Sequence, residues 1–219
     1  MDTEEAQAAE NYRPETPVVI CRWRLAGKTL PLENRHLRAL GKRRIDGKAI
    51  SPHLIAWAKQ HIEGTLQEGS AENPDGVLLL VIDEQGRAAM AVGPYEPLED
   101  SSLLALATRA CAAQREAAKT GCAPEVLWVA DKGILIIGKD VSAASAGALS
   151  LACDIASTLG YRMDFQENLA AEVLAGATGF DEVFLVSDEH GVVQAADAKG
   201  KIGAELAADL EKLYESKRR

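Results

Sequence analysis

The chain has 219 residues, 47% of them apolar and 26% charged, with a net charge of -9. That apolar fraction can bury a substantial core and excludes wholesale disorder. The acidic balance argues against a surface that tracks nucleic-acid phosphates. Cys21, Cys111, Cys122 and Cys153 show no C-x-x-C spacing. They read as buried thiols of a reducing compartment rather than a disulfide framework or a zinc site. The acidic start at Asp2, Glu4 and Glu5 lacks the apolar run of a signal peptide, and no stretch approaches a membrane span. A cytoplasmic protein without membrane contact is expected.

Residues 1–15 read as a loose polar tail. Residues 18–25 alternate, with Val19, Cys21, Trp23 and Leu25 on one face, and predict a strand. A turn at Gly27 leads to a short return strand over 29–32, then a helix over 33–41. Ser51 and Pro52 mark a helix start, with Leu54, Ala58 and Ile62 on its inner face. Strands follow over 77–82 and 88–92, joined by a turn ending in Gly86. Gly93, Pro94 and Pro97 interrupt both kinds of element and mark a linker. Beyond it come a long helix, capped by Asp100 or Ser101 and ended by Gly121, and strands over 126–130 and 134–137. A helix rich in small residues over 143–159, a strand over 161–165 and a helix over 167–175 are next. Strands over 183–186 and 192–195 precede a last helix carrying Leu206, Leu210 and Leu213. The pattern predicts a mixed α/β (α+β) chain with a small N-terminal α/β lobe, 16–96, and a larger C-terminal lobe, 97–219. The hairpins exclude an all-parallel sheet.

Few residues suggest chemistry directly. His36, His53, His61 and His190 are scattered, so no metal site is expected. Gly27-Lys28-Thr29 echoes the end of a phosphate-binding loop, but Arg22 stands where its first glycine belongs. The run Arg35, Arg38, Lys42, Arg43, Arg44 and Lys48 is the one basic feature of an acidic chain. It reads as a solvated helix face and loop, or as an anion site at the mouth of an interdomain cleft with Arg22 and Arg24. Ser101 and Ser102 read as helix caps.

Three stretches carry a resemblance: AAQREAAKTGCAPEVLWVAD, ALSLACDIASTLGY and GFDEVFLVSDEHGVVQAADAKG. They are similar to the A-x-x-E-A-x-x-x-G helix, the segment ending L-A-x-x-L-G-I, and the D-E-V-F-L-T-G-T hairpin of the pyridoxal-phosphate-dependent class IV aminotransferases. That family includes branched-chain and D-amino-acid aminotransferases and aminodeoxychorismate lyase. ICRWR stands where the family has F-E-T-x-R, and residues 30–38 where it has F-x-L-x-x-H-x-x-R. The resemblance implies the family's two-lobed fold and a homodimer.

The departures from the family pattern bear on function. The family's Schiff-base lysine would fall at Ser102 or Leu103, and no lysine lies between Lys59 and Lys119. Without that amine the cofactor cannot be held covalently. The family's acid for the pyridine nitrogen lies in a segment that Asp131-Lys132-Gly133 bypasses. Its G-I-T phosphate cradle is replaced by Ser145-Ala146-Gly147-Ala148, and its T-G-T cradle by Val186-Ser187-Asp188, where Asp188 would repel a phosphate. The family's first-lobe arginine falls at Arg38 by one count and at Ala39 by another. The expectation is therefore a degenerate, cofactor-free relative that binds a small anion or a protein partner. A remnant anion site is expected at Arg38, Ser187 and Asp188, with no catalytic residue. The alternative is an active pyridoxal-phosphate enzyme with a displaced lysine, Lys132 or Lys139.

Overall fold

The computed structural model describes residues 16–217, so the tail predicted over 1–15 lies outside the described residues. Strand β1 (Pro17–Arg24) buries Val19, Cys21 and Trp23 and turns Ile20 and Arg22 outward, as its alternation requires. It pairs antiparallel with β4 (Val77–Asp83), which pairs antiparallel with the outermost strand β5 (Ala88–Gly93). Helices α1 (Glu33–Leu40) and α2 (Pro52–Gly69) belong with this sheet: Leu37, Leu40, Ala58 and Ile62 share a core with Trp23, Leu78 and Leu80. Ser51 caps α2 by accepting from the Leu54 amide, 3.2 Å.

Two local expectations differ from the structure. The return strand over 29–32 is a single bridge, Ala26 to Thr29, after which Leu30 and Leu32 enter the core as irregular chain. The basic run leaves its helix at Gly41 and forms a hairpin of β2 (Arg44–Ile45) and β3 (Lys48–Ala49). Asp46 and Gly47 turn it, both with positive φ.

Residues 94–102 are irregular and lead to a second sheet. Its strands, in the order β10 (Arg162–Phe165), β8 (Ile134–Ile137), β7 (Glu125–Asp131), β11 (Glu182–Ser187) and β12 (Gly191–Gln194), are antiparallel except for the β10–β8 pair. The continuous apolar run of β7 is explained by burial on both faces. Leu127 and Val129 meet α3 (Leu103–Thr120) and α5 (Leu169–Leu174). Val126, Trp128 and Ala130 meet α4 (Gly147–Thr158) and α6 (Lys201–Lys217). Helix α3 starts at Ser102, whose hydroxyl accepts from the Ala105 amide at 3.3 Å, and ends at Gly121 with φ 82°. Helix α4 starts four residues later than the expected 143, because β9 (Ala144–Ser145) first pairs with β6 (Cys122–Ala123). Ala26, Leu32 and Ala39 pack into the core under α4, which joins the first sheet's loops and α1 to the second sheet.

All four cysteines are free, with Cys21 and Cys122 fully buried. Burial pushes Cys21 up to about 11 and Cys122 up to about 12, so both stay protonated thiols at neutral pH. Among the described residues no helix is long and apolar enough to cross a membrane.

Candidate functional site

The two sheets meet at Asp188, the residue after β11. It is 4% exposed. Its Oδ1 accepts from the Ala148 amide at 2.7 Å, in the first turn of α4. That helix has Ala146 as its N-cap and therefore no side chain of its own to satisfy its first amides. A carboxylate also suits the positive end of the helix dipole. Asp188 Oδ2 lies 3.4 Å from His36 Nδ1, within ion-pair reach but out of line for a hydrogen bond. His36 is 1% exposed and stacks on Trp23 with ring centroids 5.0 Å apart. The Asp188 carbonyl accepts from the Arg24 amide at 3.2 Å. Gly147 lets His36 lie against α4, since a Cβ there would collide with the imidazole.

Beside this seat is a cavity of about 330 Å³, bordered by Ile20, Arg22, Arg109, Glu125, Ser187 and Glu189. Arg109 Nε and Nη2 donate to the two Glu125 oxygens at 3.0 and 2.7 Å. Ser187 Oγ donates to Glu125 Oε1 at 3.1 Å and accepts from the Glu189 and His190 amides. Its hydroxyl is committed to three hydrogen bonds, and the carboxylate that accepts its proton is itself held by Arg109. Arg22 pairs with Glu189 at 3.6 Å. Burial raises the Glu189 pKa, against the opposing charge of Arg22.

His190 completes the network. Arg109 Nη2 reaches His190 Nε2 at 3.3 Å. A guanidinium only donates, so Nε2 accepts and Nδ1 carries the proton, which points to the Tyr95 hydroxyl at 3.4 Å. Burial, helped by Arg109, Arg24 and Arg22, pushes the His190 pKa down to about 4, against the pull of Glu125. The ring is neutral at pH 7.

The structure brings Ser187 and Asp188 into this junction but not Arg38. Arg38 is exposed, and its Nε donates to the Asn34 carbonyl at 3.1 Å. The reason is helical period. On α1 the inward positions are His36, Leu37, Ala39 and Leu40, so position 38 faces out. Arg38 instead borders an open groove of about 540 Å³ with Arg35, Lys42, Ser142, Ser145 and Ser150. Arg35 is engaged there by Asp154 at 2.9 Å and by Ser150 Oγ at 3.1 Å. Arg43, from the same run, is buried against Glu116 at 2.7 Å. Arg22 and Arg24 do not join this groove.

The other sequence candidates have structural roles. Ser102 caps α3, and Leu103 follows it with its amide on Asp197 Oδ1. Lys132 is exposed in a two-residue turn with Gly133, both with positive φ. Lys139 is buried, its ammonium donating to the Asp140 carbonyl at 2.8 Å. Burial lowers its pKa. His61 stacks on Trp57 at the surface. Among the described residues no cluster of three His, Cys, Asp or Glu could hold a metal. The sequence reading missed the parts played by His36, Glu125, Arg109 and Tyr95. The available signal was Glu125 itself, a carboxylate that opens the apolar run Val126–Ala130 and is buried with it.

No family model and no curated protein matches the chain. Solved structures do. A hypothetical aminotransferase from Mycobacterium tuberculosis, in its PLP-bound form, matches with a TM-score of 0.62 and 15% identity, over 91% of this chain and 89% of that one. A putative 4-amino-4-deoxychorismate lyase from Legionella pneumophila matches with a TM-score of 0.55 and 13% identity, over 89% and 90%. A branched-chain aminotransferase from Thermoproteus uzoniensis, solved with norvaline, matches with a TM-score of 0.55 and 13% identity, over 90% and 85%. The α/β topology and these matches together give this chain the fold of the class IV aminotransferases.

Proposed function

We propose that this chain is a non-catalytic protein on the class IV aminotransferase fold, holding no pyridoxal phosphate and binding a small anion. The observation that carries this reading is the Asp188 carboxylate on the Ala148 amide. In the resemblance described above, α4's first turn and the end of β11 are the two halves of a phosphate cradle. Here one half fills the other. A phosphate brought to the same amide would face a fixed negative charge about 4 Å away, which costs roughly 4 kcal/mol near a protein surface. The residues therefore do not fit the cofactor. The amine is missing as well. Ser102 and Leu103 begin a helix, while Lys132 and Lys139 are placed in a surface turn and on a backbone carbonyl.

The groove between α1 and α4 supports the anion reading. Arg38 and Lys42 border it with Ser142 and Ser145; Ser142 Oγ donates to Asp140 at 2.9 Å, and Asp154 is drawn off by Arg35. A guanidinium fork with nearby hydroxyls suits an oxyanion. The fold also leads us to propose a homodimer, checked by light scattering at micromolar concentration.

Incubation with pyridoxal phosphate, then borohydride and peptide mapping, tests the cofactor half of the reading. We expect no visible chromophore and no stoichiometric pyridoxyl peptide; a one-to-one adduct confined to Lys132 or Lys139 would favour the displaced-lysine enzyme instead. Titration with inorganic phosphate tests the other half. Binding should weaken by about tenfold in Arg38→Gln, the loss of one charge-assisted contact.

A further inference from the structure

Arg35 and Arg38, neighbours on one side of α1, border two grooves at once. One is the groove of about 540 Å³ that also takes in Ser142 and Ser145. The other is larger, about 1010 Å³, and open, with walls from α1, α2, α4 and α6. Helix α4 divides in the same way: Ser150 borders the first groove and Leu151, the next residue, borders the second. The two grooves therefore adjoin along the α1–α4 seam.

Their linings differ. Pro31, Leu66, Leu151 and Leu213, all half-buried, come from four separate segments and converge on the larger groove. Leu66 packs on the first sheet's core, and Leu151 and Leu213 pack on the second sheet's core. The groove follows the line where the two cores adjoin. A concave apolar surface with a charged rim is the form of a binding groove, and this volume lies at the upper end of ligand sites.

The rim selects the occupant. Lys28, Arg38, Lys59 and Lys217 stand on it, and among the described residues none of them has an ion pair. Glu33 and Glu63 offset part of this charge, and Asp154 offsets Arg35. The excess is positive, on a chain whose net charge is -9. A cation would be repelled there, and a purely apolar molecule would leave the rim unused. An anion with an apolar chain complements both. An anionic bilayer does not fit, because the acidic remainder of the chain opposes it.

We propose that the anion bound at Arg38 carries an apolar chain. The ligand is a soluble anionic amphiphile, with a phosphate or carboxylate head at Arg38 and Lys42 and an alkyl chain over Leu66, Leu151 and Leu213. This rests on the anion reading of the α1–α4 groove and supplies the other half of the ligand.

Calorimetric titration of the full chain with inorganic, butyl and octyl phosphate tests it, since only the chain varies. Affinity should rise along the series, by at least about tenfold overall, as methylenes leave water. Octyltrimethylammonium should bind at least about tenfold more weakly than octyl phosphate. Leu66→Gln and Leu213→Gln should each cut the ratio of octyl to inorganic phosphate affinity by about threefold or more. Arg38→Gln should weaken both phosphates alike. Inorganic phosphate binding with no gain from the chain would overturn this proposal and leave the anion reading standing. Binding of none of the three phosphates would remove the anion reading, and this proposal with it. Equal binding of the octyl cation, or retention of the protein on vesicles of phosphatidylcholine and phosphatidylserine, would also overturn it.

Discussion

Glu182 and Asp188 stand at opposite ends of β11, and each places its carboxylate on the first turn of a different helix. Glu182 accepts from the Ile202 and Gly203 amides of α6 at 3.0 and 2.8 Å, and Asp188 accepts from the Ala148 amide of α4 at 2.7 Å. One strand thus supplies both remote N-terminal caps on its face of the sheet. The pairs are separated by 20, 21 and 40 positions in sequence, so each cap is a tertiary contact.

Removing either carboxylate should destabilise the fold. Asp188→Ala leaves the Ala148 amide buried without a partner, and Glu182→Ala does the same to two amides of α6. Losses of about 1–3 kcal/mol are expected for Asp188→Ala and at least as much for Glu182→Ala. Urea unfolding of the two variants checks this. An unchanged midpoint in Asp188→Ala would mean that the carboxylate does not cap α4.

Gly147 should be intolerant of a methyl group for a reason specific to His36. Gly147→Ala drives a Cβ into the imidazole, which cannot retreat because it stacks on Trp23. We expect a loss of about 1–3 kcal/mol. His36→Ala should cost stability alone yet relieve much of the Gly147→Ala penalty, giving a coupling of at least about 0.5 kcal/mol in a double-mutant cycle. Additive losses would refute the packing argument.

Acid should weaken the junction through His190. Its pKa falls from 6.5 to about 4 on folding, so between those values the unfolded chain binds more protons. Stability from this residue is complete above pH 6.5 and is lost as pH drops toward 4. Glu189, whose pKa is raised, acts with the opposite sign and offsets part of the loss. His190→Gln should flatten the pH dependence of the melting temperature between pH 6.5 and 4, and an unaltered slope would contradict the assignment of a neutral ring.

Much of the fold follows from local pattern. The alternation of β1, the uninterrupted apolar β7, the Ser51-Pro52 start and the Gly121 stop each act through nearest neighbours along the chain. The Asp46-Gly47 dipeptide is equally legible as a hairpin turn, although it lies within a basic run whose charge suggests a solvated or anion-binding face. Local pattern starts α4 four residues early, because the pairing of β9 with β6 depends on a partner more than twenty residues away. The site was less accessible still. Asp188 could be recognised as hostile to a phosphate, but not as the group that occupies α4's amide. In the sequence alone, whether position 38 or 39 of α1 stands for the family's arginine is a matter of alignment. The packing of His36 and Ala39 under α4 turned it into one of helix phase.

The outermost position of β5 bears on how this protein fails. Its sequence from Ala88 to Gly93 contains only alanine, methionine, valine and glycine, and among the described residues no strand pairs with its outer side. The opposite margin of the same sheet, β1, carries Arg22 and Arg24. Charges of that kind discourage intermolecular strand addition, and β5 has none. Aggregation on heating is therefore expected to begin at β5, and a lysine in place of Ala91, whose side is exposed, should raise the temperature at which turbidity appears without altering either core.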